Sequence, residues 1–265
     1  MSRNSRRITS ASPTAVAPQP TSPKIQTSNN PFGISFVVPT EVVELPSGGN
    51  FYHEESTLHG KATLEIKQMT AKEEEILTSV SFIEDGSLLD RLLASILIDT
   101  SVDPQELLQG DREALVYAAR RISYGPEYGV KQACESCGEE AVFIYDLSKF
   151  SITSPDASGA VMDADNGLYS IELPQSKIKV SLKHLTTKDQ AYLDEQETRA
   201  SKLNIESSKT INFLKRVVVE ANGIDDQEML NKLFNVLPVL DIRKIRKVSN
   251  SIVPTMDTKQ EVACG

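Results

Sequence analysis

Long apolar runs are missing from this chain. The longest, residues 92–98, is too short to cross a bilayer, and no hydrophobic stretch follows the first residues as a secretion signal requires. Cysteine is scarce. With three residues of it and no such signal, the expected setting is a reducing compartment, where a Cys-x-x-Cys pair serves a metal or redox role rather than a structural disulfide. Histidine is equally scarce: His53, His59 and His184 lie scattered on polar stretches, where a solvated or loop-anchoring role is expected over a ligand role. No Gly-rich phosphate loop, G-x-S-x-G elbow or H-E-x-x-H helix occurs, and no nucleophile has a base beside it. These absences point away from membrane, secreted and catalytic classes and from a small-molecule substrate.

What is present is an ordinary soluble composition, 39% apolar and 25% charged over 265 residues, a natural length for two domains. Charge is unevenly spread. The net is −9, and residues 1–30 hold four cations (Arg3, Arg6, Arg7, Lys24) and no acid, so the rest carries −13. A body that acidic is a poor binder of phosphate backbones and meets a basic protein surface more readily. Residues 1–30 are rich in Ser, Thr, Pro, Gln and Asn and have few large apolar side chains, so they read as a disordered tail.

Beyond the tail, residues 34–38, 42–45 and 62–67 read as strands, the last with clean alternation, and residues 46–50 as a turn. Thr70 and Glu73 match a capping box that opens a short helix ending before Asp85-Gly86. Acid–base work by Glu73-Glu74-Glu75 is the weaker reading; stabilising the helix N-terminus is the stronger. A helix over 87–99 gathers Leu88, Leu89, Leu92, Leu93, Ile96 and Leu97 on one face. Asp103-Pro104 starts a helical turn, and Asp111 is expected to cap a further helix to about Ile122, broken by Gly125-Pro126. The basic run Arg243-Lys244-Ile245-Arg246-Lys247 reads first as a solvated helix face, with Ile242 and Ile245 inward, and second as a docking patch.

Landmarks recur. Glu172-Leu173-Pro174 repeats Glu44-Leu45-Pro46, and Thr186 with Asp189 repeats Thr70 with Glu73. Residues 224–230 repeat 102–108, with Leu214 on Leu92 and Val218 on Ile96. Asp241, Ile245 and Ile252 repeat Asp111, Leu115 and Ile122. The same spacing sets Cys264 on Cys134 and places a fourth cysteine at 267, past the last residue. The expected fold class is α+β: two related repeats over 31–150 and 168–265, each a small sheet or ribbon plus a helical bundle with a Cys-x-x-Cys knuckle, the second knuckle incomplete. A disordered tail over 1–30 precedes them and a linker over 151–167 joins them.

Cys134-x-x-Cys137-Gly138 sits between two ribbon-like segments, in the form of half a tetrahedral zinc site. Three readings stay open for Cys134, Cys137 and Cys264: one structural zinc bridging the repeats, a knuckle that holds no metal, or a redox dithiol. The redox reading lacks the strand-then-helix setting that lowers a thiol pKa.

The run Glu44-Leu45-Pro46-Ser47, Tyr52, Met69-Thr70-x-x-Glu73-Glu74-x-Ile76-Leu77, Asp111-Arg112, Arg121-Ile122-x-Tyr124-Gly125, Tyr128 and Cys134-x-x-Cys137 resembles the tailed-phage baseplate family typified by T4-like baseplate hub subunits and hub assembly proteins. The resemblance is densest over 34–150. It implies a non-enzymatic tail component that docks to other phage baseplate and tail proteins, located in the virion or in infected host cytoplasm during assembly. Competing classes are a zinc-ribbon nucleic-acid-binding regulator, opposed by the acidic body, and a thiol oxidoreductase.

Overall fold

The first hairpin follows from alternation. In the computed structural model, which describes residues 38–134, 137–153, 155, 159–163, 166–203, 205 and 208–261, β1 (Thr40–Glu44) pairs antiparallel with β2 (Thr63–Lys67). Val43, Leu64 and Ile66 point inward and are buried. The tail at 1–30 and residues 34–37 of the strand expected over 34–38 lie outside the described residues, and Val38 is not in a strand.

Three short helices follow that hairpin: α1 (Ala71–Thr78), α2 (Val80–Glu84), which buries no residue, and α3 (Leu88–Ile96). The Glu73 carboxylate accepts from the Thr70 amide (2.9 Å), so the helix start is where the sequence places it. Leu92, Leu93 and Ile96 of α3 are fully buried. A 3-10 turn at Pro104–Glu106, started by Asp103, leads to α4 (Gln109–Tyr124), which stops at Gly125 with φ of +89°. Asp111 is not the cap expected of it. It is the third residue inside α4, and its side chain serves a distant loop.

After α4, β3 (Glu127–Ala133) and β4 (Glu140–Asp146) form an antiparallel ribbon joined at the cysteine corner. The stretch 151–167, read from the sequence as a linker, carries two short strands, β5 (Ser151–Thr153) and β6 (Val161–Asp163). β6 is the edge of a sheet completed by β7 (Leu168–Glu172), β8 (Lys179–Lys183) and β9 (Val218–Ala221), all antiparallel. Between β8 and β9 lie α5 (Thr187–Lys202), begun at Thr186, whose hydroxyl accepts from the Asp189 amide (3.2 Å), and α6 (Lys209–Val217). α7 (Gln227–Val236) and α8 (Val239–Ser251) follow, then β10 (Thr255–Asp257).

Mixed helices and small antiparallel sheets make this α+β, as expected. Two landmark pairings shift. Val218 pairs with Leu182, and the counterpart bridge in the first half joins Ile66 to Leu97, one residue on from the Ile96 expected. Residues 102–108 form only a short turn, whereas residues 224–230 run into the ten-residue α7.

Two buried apolar clusters result, one under β1, β2, α3 and α4 and one under β7, β8, α6, α7 and α8, and Phe51 packs against both. From Pro39 on the chain is one compact unit. β10 returns to pair with β5, the Thr187 amide and hydroxyl donate to the Leu107 carbonyl (2.8 and 3.0 Å), and Leu108 bridges Thr186. Two glycines mark the closest approaches: a Cβ on Gly110 would fall 2.0 Å from the Pro254 carbonyl oxygen, and one on Gly167 would fall 2.6 Å from the Phe51 carbonyl carbon.

Candidate docking surface

Among the polar side chains with the look of a reactive cluster, Asp111 stands first. It has no exposed surface, and its carboxylate accepts from the Ser47 amide (2.9 Å), the Ser47 hydroxyl (2.6 Å) and the Tyr52 hydroxyl (2.6 Å). Tyr52 in turn accepts from the Leu108 amide (3.0 Å). Burial raises the Asp111 pKa against these hydrogen bonds, and burial and the Asp111 charge raise that of Tyr52. Every donor here is satisfied, so the cluster ties the turn after β1 to the start of α4. Asp241, also third in its helix, accepts from the amides of Gln175 (2.8 Å) and Ser176 (2.9 Å) after β7.

The acidic triplet is likewise divided among structural bonds. Glu73 is buried and takes the Ser95 and Thr70 hydroxyls (both 2.6 Å) and the Lys67 ammonium (3.2 Å). Burial favours its neutral form, but those hydrogen bonds outweigh it and hold the pKa down to about 2. Glu74 accepts from the Tyr124 hydroxyl.

The histidines divide. His53 and His59 anchor their own loop, His53 Nδ1 accepting from the Glu55 amide and His59 Nδ1 lying 2.7 Å from the Tyr52 carbonyl. His184 does not fit the solvated or anchoring role: it is buried between the rings of Phe51 (4.8 Å) and Tyr169 (5.3 Å), and burial pushes its pKa down to about 4.

The cysteine corner turns at the ribbon tip. The Cys134 amide donates to the Glu139 carbonyl and the Gly138 amide to the Cys134 carbonyl, both at 2.8 Å, with Gly138 at φ +77°. Cys134 is half-buried and Cys137 exposed; Cys264 lies outside the described residues. Among the described residues no three His, Cys, Asp or Glu side chains converge as a metal site.

On the basic helix face Arg243, Arg246 and Lys247 are exposed while Ile245 is buried. Arg246 is bonded to Thr210 (2.6 Å), with its guanidinium 5.8 Å from the Phe213 ring centroid.

The surface has one feature the sequence reading missed. A groove of about 250 Å³ runs between α1, α3, α4 and the base of the ribbon. Its walls are mostly apolar: Met69, Leu77, Leu89, Leu92, Val116 and Leu147, with Tyr117, Tyr124 and Tyr128. Arg120 is its cation. The guanidinium lies 4.5 Å from the Tyr124 ring and 5.6 Å from the Tyr128 ring, and Nη1 is buried with no hydrogen-bond partner among the described residues. The i, i+4 spacing of Arg120 and Tyr124 is the one sequence signal for it. On the ribbon face away from Tyr128, Val142 and Ile144 are more than 60% exposed, with only Gly129 paired across from Ile144.

A family model described as the T4 bacteriophage base plate protein matches residues 38–265. The chain belongs to that family. No curated protein and no solved structure matches it. Membership in the baseplate family implies a structural tail component that contacts other tail and baseplate proteins. The family match begins where the described fold begins, at residue 38, so the residues that build both halves all fall within it. Among the described residues of this baseplate protein no helix is long and apolar enough to cross a membrane.

Proposed function

We propose that the chain is a non-enzymatic baseplate component of the hub-subunit or hub-assembly kind, working by docking to other baseplate and tail proteins in the virion or during assembly in the infected host. The observation that carries this is the family match over residues 38–265. It is supported by the consumption of Asp111, Tyr52, Glu73 and Asp241 in internal ties, which leaves grooves and ribbon edges as the outward-facing features. Disruption of the gene in the phage that carries it should give tails without complete baseplates by electron microscopy. Normal tails overturn the reading.

Two finer elements belong with it. The halves at 31–150 and 168–265 derive from one duplicated unit, an idea supported by the shared placement of Asp111 and Asp241 at the third position of their helices, each accepting from the residue two after a buried leucine (Leu45, Leu173). Cys134, Cys137 and Cys264 hold one structural zinc. Elemental mass spectrometry on protein purified without chelators should find about one zinc per chain, lost with Cys134→Ser, and a zinc-free protein sinks that element alone. The nucleic-acid alternative is disfavoured by the charge of −13 outside the tail and by the engagement of Arg246 with Thr210 and Phe213.

A further inference from the structure

The groove at the foot of the ribbon has a chemistry that specifies its occupant. An apolar trough lined by Met69, Leu77, Leu89 and Val116 gains by taking a large aliphatic or aromatic side chain out of water. A volume of about 250 Å³ accommodates one such side chain, not a folded domain. At its edge Arg120 is held between two tyrosine rings, with Nη1 covered and unpartnered among the described residues. A covered guanidinium nitrogen without an acceptor is an expensive arrangement, and a carboxylate is the acceptor whose geometry and charge answer it best. The other cations near α4 are engaged: Arg112 pairs with Asp90 (2.6 Å) and Arg121 with Glu41.

We infer that this groove binds a partner protein segment carrying a large apolar side chain with an Asp or Glu within two positions of it, the side chain entering the trough and the carboxylate pairing with Arg120. This deepens the docking role and rests on it. The net charge of the surrounding body limits the partner to a local acid, since a long acidic segment would be repelled. Tyr124 is held by its hydroxyl on Glu74, so pairing of Nη1 with the incoming carboxylate requires the Arg120 side chain or the Tyr128 ring to shift. Tyr128 shares its ribbon face with Val130, Phe143 and Tyr145, so the exposed Val142 and Ile144, on the other face, lie outside this contact.

The test is selection of a random twelve-residue peptide library on the full chain, followed by titration of the enriched peptides in labelled synthetic form. Expected are sequences that share a large apolar residue within two positions of Asp or Glu. Replacing that acid with Asn or Gln should weaken binding roughly tenfold. Arg120→Gln should remove this acid preference and weaken binding by a similar factor, Arg120→Lys should keep part of it, and Leu89→Ser should weaken all the peptides. Thermal unfolding of each variant separates loss of the groove from loss of the fold. Enrichment without an acid, or binding unchanged in Arg120→Gln, overturns the inference. The gene disruption decides the other question: absent baseplates together with an acid-indifferent groove keep the docking role and remove this site, whereas intact baseplates remove the role itself.

Discussion

Asp111 and Asp241 are buried alike, yet burial and hydrogen bonding balance differently at the two. Both stand third in the last long helix of their half and both fasten it to the turn after a strand. At Asp241 two backbone amides suffice; burial acts upward on its pKa, but those amides and the nearby Lys177 charge outweigh it and lower the value. At Asp111 one amide is joined by the hydroxyls of Ser47 and Tyr52, and burial wins, raising the pKa. The difference lies in two hydroxyls, that of Ser47 in the turn after β1 and that of Tyr52, whose neighbour Phe51 packs against both cores. The tie itself needs only backbone. Tyr52 adds one more donor to the tie at Asp111.

The comparison breaks most visibly if the two carboxylates are removed. Asp111→Ala orphans three buried donors and should cost about 4 kcal/mol in urea unfolding, against about 2 kcal/mol for Asp241→Ala, which orphans two amides. Equal losses would mean that the two hydroxyl donors contribute nothing. Acid comes next. His184 is kept neutral where Phe51 meets the second sheet, its pKa of about 4 lying below the ordinary value of 6.5, so the unfolded chain binds more protons between those values. Stability is therefore complete above about pH 6.5 and falls by roughly 3 kcal/mol as the pH drops to 4, a slope that His184→Phe should flatten in the urea midpoint.

Smaller effects sharpen the picture of the loop at residues 51–60. Gly167→Ala and Gly60→Ala both force alanine to positive φ, +64° and +69°, but only the first drives a Cβ into the Phe51 backbone. The loss in thermal unfolding should be about 1 kcal/mol for Gly60→Ala and at least twice that for Gly167→Ala. Tyr52→Phe removes one donor from Asp111 and the acceptor of the Leu108 amide, for about 1–2 kcal/mol, leaving the Ser47 bonds in place. A loss as large as that of Asp111→Ala would mean that Tyr52 alone makes the tie.

Signals that act over a few residues were legible in the sequence. The Thr70 and Thr186 helix starts, the Gly125 stop and the inward face of α3 are decided by local capping and by helical periodicity, and each stands where the pattern puts it. Asp111 was misread because an aspartate near a helix start looks like a cap, and its true partners lie 64 and 59 residues upstream. His184 was misread because its polar neighbours Lys183 and Thr186 gave no hint that Phe51, far back in the chain, would cover it. β5 has only three residues and is defined by β10, about 100 residues later, so no local pattern could announce it. The groove escaped for the same reason: its walls come from four separate elements, and only Arg120 with Tyr124 shared a helix.

The close fit of Gly110 beneath Pro254, and the strand β10 that follows it, also set an order in time. A chain made from its first residue onward exposes α4 some 140 residues before its cover exists, a wait on the order of 10 s at ordinary synthesis rates. The first half must therefore be held together meanwhile by the Asp111 tie and its own core. Ribosome-bound chains halted near residue 200 should be cut by protease around Gly110 and β5, while released chains resist. β10, the last strand among the described residues, is the latch that a chain halted before it lacks.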